Sequence, residues 1–403
     1  MKNTDEVKKI LRVTSVWLLS ISAVYGQSQN TQAAGCEKGK SKHCKLVRAL
    51  DSPQQTSNDV FITAHRGLWG DLPETTIAST REAQQEGWKI IEVDVMRTKD
   101  DELLLMHDQQ INRMSGQKTR EYASGSSQDK PGNATWVRNL NYHSNTQNVP
   151  NRQNQKGTLG ALKKMPLKNK WGTKLSGDHN KFRTASNLFP ELRQWDGVLL
   201  ALDIKDKNLE DYKWTTSQLL KLGKEKGVLT RLLFKPGSGI AGITYDDLSD
   251  YLKDQGTYSD FQNKVTVALI VQPESFGSGN EFKKYMQPWM DNLPSLALVE
   301  TIYKNDNDFL LKSSSQLGGQ SPVDWIKSFG YRTGVFWDNA TDCRGVTDGR
   351  GHWFTPDDKN FTDYRGSMEW LLNKKPGMIV TDRPDVTRSF LQLFNQYNSL
   401  SFK

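Results

Sequence analysis

Short apolar runs recur along the chain at 60–64, 89–95, 103–107, 198–204, 229–235, 265–271, 296–302, 333–337 and 378–381, and they constrain the fold more than any other feature. Each is four to seven residues long and rich in Val, Ile and Leu. Such a run reads as a strand buried on both faces, the habit of a parallel sheet covered on two sides. Stretches with helical character lie between them, at Thr76 to Glu86, Trp214 to Lys226, Tyr245 to Lys253, Val323 to Phe329 and Arg365 to Leu372. The alternation predicts an α/β architecture, a parallel (β/α)8 barrel of the TIM type. Nine runs compete for eight places. The run at 103–107 follows its predecessor too closely for a crossover helix, which needs about ten to twelve residues. Either it or the run at 296–302 therefore stands outside the regular β/α units. A length of 403 residues fits one such barrel, expected over 58–395, plus an insertion.

The insertion is expected at 110–190, where a stretch far longer than a βα loop carries the polar tract His143-Ser144-Asn145-Thr146-Gln147-Asn148 and few aliphatic runs. Between Ser115 and Phe182 there are 12 Lys plus Arg against 3 Asp plus Glu, while the whole chain has a net charge of +8. The positive charge thus resides in this polar, basic insertion, which the barrel topology places on the catalytic face. It reads either as a surface that attracts anionic head groups or a membrane, or as a solvated loop. A specific nucleic-acid role is disfavoured, because its lysines carry no recognised binding motif and phosphate attraction alone is nonspecific.

Chemistry concentrates between Ala64 and Asp108, in the order Ala64-His65-Arg66-Gly67, Pro73-Glu74, Glu92-Val93-Asp94 and His107-Asp108. Glu92 and Asp94 are two apart in an apolar run, so on a strand they point to the same face. Two buried carboxylates side by side repel unless a positive group lies between them, and a divalent cation satisfies both. Carboxylate oxygens suit the hard ions Mg2+ or Ca2+. The lack of Cys or His-x-His nearby argues against zinc. His65 and His107 each directly follow an apolar run and so sit at strand C-terminal ends, the face of a barrel where catalytic groups collect. One can accept a proton while the other donates one, each contributing ~10²- to 10⁴-fold to rate. Arg66 offers a planar fork for an anionic phosphate. Asp108 is placed either to brace His107 or in a turn.

This ordered set resembles the glycerophosphodiester phosphodiesterase family, whose pattern runs His-Arg-Gly, Pro-Glu-Asn-Thr, Glu-x-Asp, Thr-Lys-Asp-Gly and His-Asp. The chain departs from it at Thr75, where the family has Asn, and at Asp101, where it has Gly. Further along, Leu202-Asp203-Ile204-Lys205 is similar to the family's Glu-x-Lys strand, so the resemblance makes Asp203 the third metal ligand and Lys205 a phosphate contact. Asp203 is shorter than Glu by one methylene, roughly 1.5 Å of reach. In this it resembles the related sphingomyelinase D and phospholipase D toxins. Gly334-Val335-Phe336-Trp337-Asp338-Asn339 and Met378-Ile379-Val380-Thr381-Asp382-Arg383-Pro384 are similar to two C-terminal family segments, and the first implies that Trp337 walls the pocket.

Ahead of the barrel, Lys8, Lys9 and Arg12 precede the apolar stretch Val13 to Tyr25. That stretch is too short to span a bilayer comfortably but suits a signal peptide, so 1–34 is expected to be a leader and flexible N-terminus, cleaved near Gly26 or Ala34. The expectation is secretion or export to a periplasm, with a lipoprotein anchored at Cys36 less favoured. Cys36 and Cys44 can pair in an oxidising compartment, leaving Cys343 free. The expected activity is metal-dependent hydrolysis of glycerophosphodiesters or related lysophospholipids, a small-molecule or lipid phosphodiester, by His acid/base catalysis. Two alternatives are a sphingomyelinase D or phospholipase D-like activity and a non-catalytic barrel that binds anionic lipid or the cell surface.

Overall fold

All nine apolar runs form strands, and eight of them close into a ring. The computed structural model describes residues 36, 42–52, 59–109, 111–115, 163–169, 172–239, 242–337 and 364–402. In chain order the strands are β1 (Phe61–Ala64), β2 (Ile90–Arg97), β3 (Leu103–Leu105), β4 (Leu199–Ile204), β5 (Leu232–Phe234), β6 (Thr266–Val271), β7 (Leu296–Thr301), β8 (Arg332–Trp337) and β9 (Met378–Thr381). The order β1-β9-β8-β7-β6-β5-β4-β2 is parallel throughout, and the pairing of β1 with β2 closes the barrel. Among the described strands β3 alone is antiparallel; it pairs with β2, and Leu104 forms an isolated bridge with Thr184. The run at 103–107 is thus the one outside the repeat, and the run at 296–302 is the regular strand β7.

Helices pack outside the ring: α2 (Ile77–Glu86), α3 (Ala185–Leu192), α4 (Leu209–Glu225), α5 (Tyr245–Asp254), α6 (Tyr258–Asn263), α7 (Gly279–Asn292), α8 (Pro322–Ser328), α9 (Met368–Asn373) and α10 (Pro384–Leu393). Alternate strand residues, such as Ile91, Val93 and Val95 on β2, join the core shared with these helices. The other set faces inward. Its lower layer is apolar, with Phe61, Ile90, Leu199, Leu233, Ala268, Leu298 and Met378 in one cluster.

A further helix, α1 (Lys42–Asp51), closes the N-terminal end of the ring by burying Leu46, Val47 and Leu50 against that layer. Cys44 on this helix is disulfide-bonded to Cys36, and Arg48 Nη2 donates to the Cys36 carbonyl at 3.2 Å. The leader expected over 1–34, residues 116–162 of the insertion, and Cys343 lie outside the described residues. Where the insertion is described, Ile111, Met114, Leu167 and Phe182 pack on Met96, Leu104 and Met106, beside the β2–β3 hairpin.

Candidate active site

Continuing the strand alternation upward turns the inward layer from apolar to charged. Above Ile90 come Glu92 and Asp94, above Leu199 comes Asp203, above Leu298 comes Glu300, and Lys235 follows β5 directly. Register places Asp94 beside Asp203 across the β2–β4 pair. One carboxylate oxygen from each of Glu92, Asp94 and Asp203 lies within 4.8 Å of the others, all three residues being buried. Asp94 Oδ1 and Asp203 Oδ1 are buried and accept no hydrogen bond. Carboxylate oxygens without a hydrogen bond, converging in an all-oxygen set, are the donors that a hard divalent cation takes, so these residues fit Mg2+ or Ca2+.

His65 follows β1 and is held at both ring nitrogens. Nδ1 lies 2.6 Å from Asp382 Oδ1 and Nε2 lies 3.5 Å from Glu92 Oε2. Trp69 Nε1 donates to the same Asp382 oxygen at 2.9 Å. Burial alone would lower the basicity of His65, but the carboxylates of Glu92 and Asp382 raise its pKa above the ordinary value. His107 follows β3, where Met106 N donates to the Asp94 carbonyl at 3.0 Å and so fixes the histidine beside that ligand. His107 Nδ1 lies 2.7 Å from Asp108 Oδ1, which supports the bracing role for Asp108 over a turn role. Glu74 stands close to both, with one atom from each of the three within 4.8 Å.

The turn between β1 and α2 explains the His-Arg-Gly spelling. Arg66 and Gly67 have φ of 58° and 77°, and a Cβ on Gly67 would come 2.6 Å from the Ser79 backbone, so only glycine fits there. A reciprocal capping box joins Thr76 and Ser79 at the start of α2, and Ser79 Oγ also donates to the Arg66 carbonyl at 3.1 Å. This grip aims the Arg66 amide at Glu92 Oε2, 3.1 Å away. Thr75, where the resemblance expects Asn, sits at φ 52° and donates from Oγ1 to Asp94 Oδ2 at 2.8 Å.

Cations surround the carboxylates. Lys205 Nζ is 2.7 Å from Asp203 Oδ2 and 3.3 Å from Asp94 Oδ1. Lys235 Nζ is 3.1 Å from Glu300 Oε2, 3.2 Å from Glu92 Oε1 and 3.7 Å from Asp203 Oδ2. Complete burial would drive the Glu92 carboxyl up, but Lys235, His65, Lys205 and Arg66 together hold it well below the usual carboxylate range. Asp94 goes the other way, because burial, reinforced by the like charge of Glu92, outweighs Lys205. Burial likewise would weaken the ammonium of Lys235, and Glu300, Glu92 and Asp203 reverse this, raising it well above its ordinary value.

Two sequence expectations need correction. Arg66 is only 1% exposed, with Nη1 3.0 Å from Glu74 Oε1 and Nε 3.4 Å from Asp94 Oδ2. Its guanidinium is committed to neutralising carboxylates rather than presented to a phosphate. Trp337 points into the outer layer, donating from Nε1 to the Gly366 carbonyl at 3.3 Å and meeting Phe390 edge-on. The inward residue is its neighbour Phe336, whose ring lies 4.9 Å from that of His65, because adjacent strand residues face opposite ways. Lys235, Glu300 and Asp382 belong to the site although the sequence reading did not single them out. Their signal was a charge inside, or directly after, an apolar run.

Residues 65–222 match the model of the Glycerophosphoryl diester phosphodiesterase family. A glycerophosphodiester phosphodiesterase of Bacillus subtilis (strain 168) is 43% identical over 68 residues, 17% of this chain and 23% of that protein. Another, of Caldanaerobacter subterraneus, is 42% identical over 53 residues, 13% of this chain and 22% of that protein. These alignments span less than a quarter of either relative. A glycerophosphoryl diester phosphodiesterase structure from Parabacteroides distasonis superposes with a TM-score of 0.51 at 12% identity, covering 88% of this chain and 93% of that one. A barrel from Silicibacter pomeroyi assigned to the same family gives 0.52 at 12% identity, covering 86% and 97%. At such identity these two structures share the fold.

Proposed function

Taking the chain as a relative of the glycerophosphoryl diester phosphodiesterase family, we propose that it hydrolyses glycerophosphodiesters with a divalent metal ion and the histidine pair His65 and His107. The observation that carries this reading is the buried trio Glu92, Asp94 and Asp203 flanked by the two histidines at strand ends. A hard divalent cation, when bound, supplies charge neutralisation and Lewis acidity at a phosphoryl oxygen. Everything else falls to the protein. Lys205, whose side chain is 14% exposed, is the cation able to turn from Asp203 to the phosphate. Arg66 bridges Asp94 and Glu74 and offsets the repulsion between their carboxylates. One histidine accepts the proton of the attacking oxygen and the other returns a proton to the leaving oxygen. Asp382 and Asp108 hold the imidazoles in register for those transfers.

The chain is read as exported, to the outside or to a periplasm, and the Cys36–Cys44 disulfide supports that reading. The basic insertion would then face anionic lipid. Turnover of glycerophosphocholine, lysophosphatidylcholine and sphingomyelin, each with Mg2+, Ca2+ or chelator, tests the proposal. Metal-dependent release of glycerol phosphate from glycerophosphocholine, lost in His65→Ala, is expected. Choline release confined to the two lipids would instead favour the toxin-like chemistry of Asp203-x-Lys205, and no turnover on any substrate would overturn both.

A further inference from the structure

The charge at the centre of the barrel does not end with the three ligands. Lys235 is 4% exposed, and its ammonium is shared between Glu300 on β7, two strands away, and the ligands Glu92 and Asp203. Its backbone is fixed as well. Lys235 N donates to the Leu202 carbonyl at 3.1 Å, and the Pro236 carbonyl that follows accepts from Ile270 N. Lys205 differs in having a partly exposed side chain that can leave the cluster. Lys235 is enclosed, so its charge stays in place whatever binds above it.

Formal charges show the consequence. Arg66 with Glu74, and Lys235 with Glu300, are neutral pairs. The three ligands with Lys205 leave two negative charges, which one divalent ion cancels. Without Lys235 the unbalanced charge grows by one, in a site where like charges are buried together. We propose that Lys235, anchored by Glu300, is a built-in counter-cation of the metal site: it keeps Glu92, Asp94 and Asp203 assembled before an ion arrives and weakens their hold on that ion. This rests on the metal-dependent reading above.

The two partners then act with opposite sign, whereas a disrupted site would bind more weakly in both variants. The test titrates Ca2+ alone and Mg2+ alone into chelator-stripped, full-length protein and reads affinity by calorimetry. At an effective dielectric constant of about 20, a unit charge this close changes the affinity for a doubly charged ion by more than about tenfold. Lys235→Met is therefore expected to bind at least about tenfold tighter than wild type, and Glu300→Gln correspondingly weaker, by the same Coulomb argument. The double variant removes a neutral pair and should return to within about threefold of wild type, the two effects cancelling. In chelator Lys235→Met should also melt lower than wild type, and saturating Ca2+ should close most of that gap.

Equal or weaker binding by Lys235→Met, or equal or tighter binding by Glu300→Gln, overturns the proposal. Should Lys235→Met fail to fold, the direction of the Glu300→Gln effect decides alone. A wild-type protein that binds neither ion overturns the metal reading and this inference together, whereas wild-type binding with the wrong order overturns this inference only.

Discussion

Thr75→Asn is expected to stabilise the protein, although Thr75 is buried and fully engaged. Thr75 N donates to the Arg66 carbonyl at 3.0 Å and Oγ1 donates to Asp94 Oδ2 at 2.8 Å. Its backbone is the difficulty. At φ 52° a β-branched residue crowds the adjoining carbonyl, and such a conformation stores about 1–3 kcal/mol. Asn occupies the left-handed region far more readily, and its amide can still donate to Asp94, so about 1 kcal/mol should be recovered. Thr75→Val is the matched control, because it keeps the shape and the strain but removes the donor. Losing this buried bond leaves Asp94 Oδ2 with the more distant Arg66 Nε, 3.4 Å away, and should cost about 1.5–3 kcal/mol, the range for bonds to charged groups. The order of stability is thus Asn above Thr above Val. By calorimetric melting in chelator, about 1 °C separates the first two and about 2–4 °C the last two, because the unfolding entropy grows with chain length. The reasoning is refuted by an Asn variant that melts at or below wild type, or by a Val variant that melts with it.

Three other outcomes are expected. His65→Ala and His107→Ala should each lower kcat on glycerophosphocholine by about 10²- to 10⁴-fold with little change in melting temperature, and a fall of less than tenfold in both would remove acid/base catalysis by this pair. Ca2+ at a hundredfold excess over its dissociation constant should stabilise wild type by about 2.7 kcal/mol, and Asp203→Asn should lose most of that gain in the same melting assay. His43, on the helix that closes the barrel, has its pKa lowered from 6.5 to about 4, first by burial and then by Arg231. The unfolded chain therefore takes up a proton that the folded chain refuses. The associated stability is complete above pH 6.5 and drains away as pH falls toward 4. The full gap is ~3 kcal/mol by linkage, and partial access of water reduces it to about 1–2 kcal/mol. Denaturant unfolding of wild type and His43→Gln at pH 7 and pH 4.5 should show the smaller pH loss in the variant.

The strands were legible because a parallel barrel buries both strand faces, so each run stands out as apolar. That same property hid which residue faces which way. No polar alternation marks the inward side of Gly334-Val335-Phe336-Trp337, and choosing Trp337 over Phe336 turned the pocket wall by one residue onto the wrong face. α1 escaped because Cys44, Leu46, Val47 and Leu50 fall between the leader expected over 1–34 and the barrel expected from 58, a stretch to which no element was assigned. α7 was masked by Gly279 at its start and Pro288 within it, although Phe282, Met286, Trp289 and Met290 follow helical spacing.

The site divides along a similar line. Glu92 and Asp94 were readable as a pair because they share a strand and are two residues apart, so the sequence itself carries their adjacency. The departures at Thr75 and Asp101 also had a local meaning. Both residues have positive φ, at 52° and 64°, so the Asn and Gly of the family pattern match what the backbone requires at those positions rather than a need of the chemistry. Lys235 and Glu300 have no such local partner. Each is a charge ending or interrupting an apolar run, and on its strand alone each would be an unexplained buried ion. Only the pairing of β5 and β7 with the two edges of β6 brings these side chains together, and only then does one charge account for the other. A lone charge in a run that must be buried on both faces is therefore itself a signal: its partner lies on another strand, at the height where the ligands are.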